Sequence, residues 1–142
     1  MRHVRHLLEL KTPDVHAVDP DDAVIDAIRL MAEKGIGAVL VMRQSQLLGI
    51  LSERDYARKI VLQGRSSATT PVRDIMTAEV IAVSPGDSVD FCMRLVTEKR
   101  IRHLPVRDGD EVVGVISIGD LVKAVIEDQQ AELDQLQRYI AG

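Results

Sequence analysis

The sequence predicts an α/β (α+β) chain built from two pseudo-symmetric β-α-β-β-α repeats packed face to face, with a C-terminal helix. Three observations carry that expectation. Sliding the 142-residue chain against itself by 65 positions aligns residues 15–55 with 80–120 without a gap, and fifteen of those 41 positions are identical. Chance would give about 2 or 3 at ordinary residue frequencies. Within each copy, short runs of alternating β-branched residues bracket one run at helical spacing. Neither copy is long enough to bury both faces of its own small sheet, so the two are expected to cover each other.

The elements follow in order. VHAVDP and VIAVSP each read as a short strand closed by proline. DDAVIDAIRLMAEKG comes next, with Val24, Ala27, Ile28, Met31 and Ala32 on one helical face. Asp21 and Asp22 sit where first-turn acids suit the helix dipole, and Gly35 suits the C-cap. In the second copy Asp87 or Ser88 opens the helix, and Arg100 stands where the first copy has that glycine. AVLVM and HLPVRD, a polar turn (Arg107-Asp108-Gly109-Asp110 in the second copy), then LLGILS and VVGVIS give strand, hairpin and strand. A further helix begins at Glu53 or Ile118. These marks divide the chain into residues 1–61 (first repeat with an N-terminal lead-in), 62–71, 72–127 (second repeat) and 128–142 (a helical extension). LQGRSSATT at the first join is small and polar, the composition of a linker.

Composition narrows the function classes. A net charge of −4 and only three aromatic residues, Phe91, Tyr56 and Tyr139, argue against nucleic acid as a partner. The lone cysteine, Cys92, excludes an internal disulfide and CxxC chemistry. It replaces Ala27 of the first copy, which suits a small core residue. No run approaches the roughly 18 apolar residues of a membrane span, and MRHVRHLLELK is too short and charged for a secretory signal. The expected setting is cytoplasmic, away from membranes. His3 and His6 have the i, i+3 spacing of a helical metal pair, but no third ligand stands nearby, so no metal site is expected.

Gly49-Ile50-Leu51-Ser52-Glu53-Arg54-Asp55 and Gly114-Val115-Ile116-Ser117-Ile118-Gly119-Asp120 occur in register in the two copies. Both resemble the strand-to-helix signature of the CBS-domain family: glycine, two apolar residues, Ser or Thr, two free positions, Asp. Ile101-Arg102-His103-Leu104-Pro105-Val106 resembles that family's second-strand motif, and Val72-Arg73-Asp74-Ile75-Met76-Thr77 its lead-in. The likeness covers essentially the whole chain and is greatest to stand-alone bacterial CBS-pair proteins, whose ends resemble Leu136-Gln137-Arg138-Tyr139-Ile140.

The chemistry of the signature can be argued from its residues. A Ser at a strand end caps the following helix, and its hydroxyl can turn to a ligand. Free N–H groups at the helix start favour phosphate. Asp three positions on can accept from both hydroxyls of a ribose, and the glycine permits close backbone approach. The alternative is that Ser and Asp only form a capping box.

The resemblance implies an adenosyl ligand (AMP, ATP, NAD or a related compound) held between the Ser/Asp of one repeat and strand backbone of the other. One site would combine Ser52, Arg54 and Asp55 with Val80, Ile81, Ile101, Arg102, His103 and Pro105. The second would combine Ser117 and Asp120 with Val15, His16, Ile36, Gly37 and Ala38. Arg54, Arg102 and His103 make the first the stronger phosphate site, unless Arg102 and His103 are merely solvated at a strand edge. The second has His16 and little other cation.

Val122, Ile126, Gln129, Leu133, Leu136 and Ile140 alternate spacings of four and three, a stripe suited to packing on another helix. The expectation is a homodimer, the alternative a tail folded onto its own repeat. Function is expected to be ligand sensing that signals to a partner protein, with no catalytic cofactor and no enzyme activity, since no nucleophile–base pair or phosphate loop is present. The rivals are a weak adenine-nucleotide hydrolase using His103 and Asp55, and a ligand-free scaffold.

Overall fold

Backbone donors at the start of each long helix decide how the segments of this chain combine. In the computed structural model, which describes residues 2–11 and 15–141, the first such helix is α2 (Val24–Lys34). Its N-cap, Ala23, has no capping side chain, so its first amides need other acceptors. Val24 N donates to the Thr70 carbonyl at 2.9 Å and Ile25 N to the Ser67 carbonyl at 3.0 Å. The polar segment 62–71, expected as a plain linker, thus closes the end of α2, and Thr70 is buried. Asp21 and Asp22 precede the helix rather than forming its first turn; Asp22 Oδ2 instead accepts from Asp19 N at 3.0 Å.

The corresponding helix α4 (Val89–Lys99) is capped by Ser88, whose Oγ accepts from Phe91 N at 3.0 Å. Its first amide, Val89 N, donates to the Arg2 carbonyl at 3.0 Å. Both helices end on a left-handed residue, Gly35 (φ 64°) and Arg100 (φ 54°). The second copy therefore accepts there, in an arginine, the conformation that glycine adopts more easily.

Two compact units result, and each joins the body of one repeat to the lead-in of the other. The first repeat's unit holds β1 (Ala17–Val18), α2, β2 (Ala38–Arg43), β3 (Gln46–Ser52) and α3 (Glu53–Tyr56), which continues into a π-helical turn over Ala57–Val61. It also holds the 3-10 turn Val72–Asp74 that leads into the second repeat. The other unit holds α1 (Val4–Glu9), α4, β4 (His103–Asp108), β5 (Glu111–Ser117, shared at its start) and α5 (Ile118–Ala141). The lead-ins dock by matching bonds. Val72 N and Arg73 N donate to the Asp22 and Pro20 carbonyls, while Val4 N and Arg5 N donate to the Asp87 and Pro85 carbonyls. The N-terminal lead-in, grouped by sequence order with the first repeat, packs with elements of the second.

In the first repeat β1 runs parallel to β2, with Ala17 opposite Leu40, and β2 pairs antiparallel with β3. The expected first strand of the second repeat is reduced to one parallel bridge, Val83 to Val106. The cause is Pro105. Leu40 N donates to the His16 carbonyl at 3.0 Å, but Pro105, at the equivalent position, has no N–H. Pairing there is limited to Val83 N to the Pro105 carbonyl and Arg107 N to the Val83 carbonyl. Val18, Val24, Ala27, Met31, Val39, Val41, Leu51, Ile60, Val72 and Ile75 form one core cluster, so the lead-in residues Val72 and Ile75 are part of it. Val4, Leu7, Val89, Cys92, Val96, Leu104, Ile116 and Leu121 are buried in the other unit.

Candidate functional site

Each Ser–x–x–Asp stretch crosses from a strand to a helix, and each closes on itself. Ser52 is the N-cap of α3: Asp55 N donates to Ser52 Oγ at 3.2 Å, and Ser52 N donates back to Asp55 Oδ2 at 3.0 Å. The Ser52 hydroxyl also reaches Asp55 Oδ2, at 3.1 Å. In the second copy Asp120 N donates to Ser117 Oγ at 3.2 Å and Ser117 N to Asp120 Oδ2 at 2.8 Å. Both are reciprocal capping boxes, so these residues order the strand-to-helix turns.

The same geometry narrows the set of helix-start amides that could serve phosphate. Glu53 N already donates to the Gly37 carbonyl at 3.0 Å, and Ile118 N to the Arg102 carbonyl at 2.8 Å. With Asp55 N and Asp120 N held by serine hydroxyls, the first and third amides of each turn are engaged. Each unit therefore brings its own Ser–Asp turn against the start of its own second strand. Ala38 pairs with Ser52, with Ile36 and Gly37 just before it.

The signature glycines also serve the protein itself. A Cβ on Gly49 would lie 2.7 Å from Met76 Sδ and 2.9 Å from the Thr77 carbonyl oxygen. Thr77 and Ile50 exchange both backbone hydrogen bonds, at 2.9 and 3.0 Å. On Gly114 a Cβ would lie 2.6 Å from Leu8 Cδ2. Both glycines leave room for a lead-in.

Each aspartate has a lysine partner. Lys59 Nζ lies 3.1 Å from Asp55 Oδ1 and donates to the Ile75 carbonyl at 2.9 Å, while Thr77 Oγ1 reaches the same carboxylate oxygen at 3.4 Å. Lys11 Nζ lies 2.7 Å from Asp120 Oδ2 and donates to the Val115 carbonyl at 2.8 Å. Partial burial works against ionisation of Asp120. The Lys11 ammonium, the Ser117 amide and the Ser117 hydroxyl outweigh it and hold the carboxyl below its usual range. Lys59 stands at the i, i+4 spacing of a helical ion pair from Asp55, a signal the sequence carries, whereas Lys11 reaches Asp120 from a distant segment and leaves no spacing to recognise.

Among the other expected site residues, Arg54 and Arg102 are exposed, Val15, His16, Val80, Ile81, Ile101 and His103 are half-buried, and Pro105 is buried. His16 contributes its carbonyl to Leu40 N, as described above. His6 Nδ1 accepts from the His3 amide at 3.0 Å, and no group of three or more metal-ligating side chains occurs among the described residues. Burial, with a smaller contribution from Asp87, pushes the Cys92 thiol up to about 11, which fits the core role expected for it. No helix among the described residues is long and apolar enough to cross a membrane.

A helix–strand–strand–helix body that occurs twice, with a Ser–Asp turn at each strand-to-helix junction, defines a tandem module. The CBS domain matches residues 4–62 and again 72–127, and the chain belongs to the CBS-domain family. The mitochondrial CBS domain-containing protein CBSX3 of Arabidopsis thaliana is 46% identical over 127 residues, 86% of this chain but 62% of the plant protein. The chain thus spans less than two thirds of that relative. A solved protein with CBS domains from Burkholderia ambifaria MC40-6 is 55% identical, with a TM-score of 0.87 over 90% of this chain and 96% of that one. The CBS domain pair of protein MJ0100, solved with 5′-methylthioadenosine and S-adenosyl-L-methionine, shares the fold (TM-score 0.79, 89% and 98% covered) at 22% identity.

Proposed function

We propose that this chain is a non-catalytic sensor of adenosyl compounds, AMP, ATP or NAD among them, and that ligand binding changes how it engages a partner protein. The observation that carries the proposal is the repetition of a partly buried Ser–Asp pair at both strand-to-helix turns. In each pair a carboxylate is presented beside a hydroxyl, the set of acceptors that vicinal ribose hydroxyls require. The adenosyl ligands of the MJ0100 pair, a neighbour in fold, lend support to this ligand class. In this reading Ser52, Asp55, Ser117 and Asp120 hold ribose, Arg54, Arg102 and His103 serve phosphate, and strand backbone near Val80, Ile81, Val15 and Ala38 receives the base. Output follows if the ligand binds two conformations unequally and shifts their populations.

The test is mass spectrometry of small molecules released from gently purified protein, followed by incubation of the recovered compound with fresh protein. An adenosyl compound recovered intact is the expected result. Conversion of the compound would favour the hydrolase, and the absence of any bound or binding compound would favour a scaffold.

A further inference from the structure

Resting on the ligand class just proposed, we propose that Lys11 is a built-in occupant of the Ser117–Asp120 site. Its ammonium holds the carboxylate until ribose hydroxyls displace it, and then pairs with an anionic group of the ligand, so that this site prefers charged adenosyl compounds over neutral ones.

Three observations converge on this role. The ammonium sits on the carboxylate that ribose would use in this reading, 2.7 Å from Asp120 Oδ2, and its second bond, 2.8 Å to the Val115 carbonyl, holds it against β5. It arrives from a distant segment that is firmly anchored. α1 buries Val4 and Leu7, its Leu8 packs over Gly114, and Lys11 N donates to the Leu8 carbonyl at 3.3 Å just beyond the helix. The duplication does not supply the contact. Under the 65-position repeat Lys11 corresponds to Met76, and aligning the lead-ins on Val4-Arg5 and Val72-Arg73 sets it against Glu79. Neither is a cation. At Asp55 the equivalent charge comes from Lys59 on the same helical run, so the two sites are locked by unrelated residues.

The latch is displaceable. Both side chains remain partly exposed, 38% for Lys11 and 28% for Asp120, and such pairs are weak because water competes for both charges. A ribose that takes the carboxylate frees a flexible four-carbon cation within a few ångströms of the ligand, where it can meet phosphate. The site that offered only His16 as a cation in the sequence thereby acquires a lysine.

The test titrates full-length wild type, Lys11→Met and Lys11→Arg with adenosine and with AMP, following the Gly119 and Asp120 amides by NMR so that this site alone reports. Lys11→Met should tighten adenosine and weaken AMP, lowering the AMP-to-adenosine affinity ratio by about tenfold, the size expected for one charge-assisted contact. Lys11→Arg should keep the wild-type preference. A Lys11→Met ratio within about twofold of wild type would overturn the role and leave Lys11 a structural tether. If neither compound moves these amides in any variant while the Ser52 and Asp55 amides respond, the inference fails and the sensor proposal survives at the other site. If no amide responds anywhere, both fail.

Discussion

Asp55 accepts from its own helix cap, from Lys59 and from Thr77, so a ligand at this carboxylate must share or exchange acceptors. That predicts two separable consequences of Asp55→Ala. Adenine-nucleotide affinity should fall by about 1.5–3 kcal/mol, the cost of losing a charged hydrogen-bond partner. Stability should fall as well, by about 0.5–2 kcal/mol, because the capping box is lost. Asp55→Asn, which keeps an acceptor for the cap, should retain most of the stability and lose most of the affinity. Calorimetry beside urea unfolding separates the two, and unchanged affinity in a folded Asp55→Ala protein would remove the residue from the site. The serines and aspartates were legible in the sequence because one short motif serves both capping and binding. Which use prevails is not written in the motif, since both need the same acceptor atoms.

The strand-to-helix glycines stand where the lead-ins exchange repeats. Gly49 faces backbone as well as side chain, while Gly114 faces only the end of Leu8. Gly49→Ala should therefore destabilise by about 1–3 kcal/mol, an overpacking cost. Gly114→Ala should cost less, because a flexible leucine can rotate away. Equal urea midpoints for the two variants would show that the lead-ins yield to both. The repeated strands and helices were readable because identical residues recur at their caps and turns. Two features escaped for physical reasons. The lead-ins repeat at a spacing of 68, visible only in the paired Val4-Arg5 and Val72-Arg73, so a gapless alignment at 65 passes over them. The loss of the second repeat's first strand follows from one missing N–H at Pro105, although the sequence around it keeps strand character.

α5 carries the expected stripe, and its apolar residues face solvent: Leu133 is 52% exposed, Leu136 57% and Ile140 82%. The alternative, a tail folded onto its own repeat, would have covered them. A surface of this kind is suited to a second copy, whose equivalent stripe would be brought against it by two-fold symmetry. Each leucine or isoleucine contributes about 1.5–3 kcal/mol when fully buried, so three per chain can decide association at micromolar concentration. Deleting residues 128–142 should shift sedimentation from dimer toward monomer while circular dichroism retains the signal of the remaining helices. A truncated chain that stays wholly dimeric would move the interface to the repeats themselves.

An adenosyl ligand that binds without being consumed can be followed in one titration. Full-length wild type and the Asp55→Ala/Asp120→Ala double variant, both verified as folded, are titrated calorimetrically with AMP, and the nucleotide is recovered afterwards for chromatography. Saturable binding by wild type, its loss in the double variant and quantitative recovery of AMP are the predicted result. Equal binding by the two proteins, no binding by wild type, or recovery of adenosine and phosphate in place of AMP would contradict it.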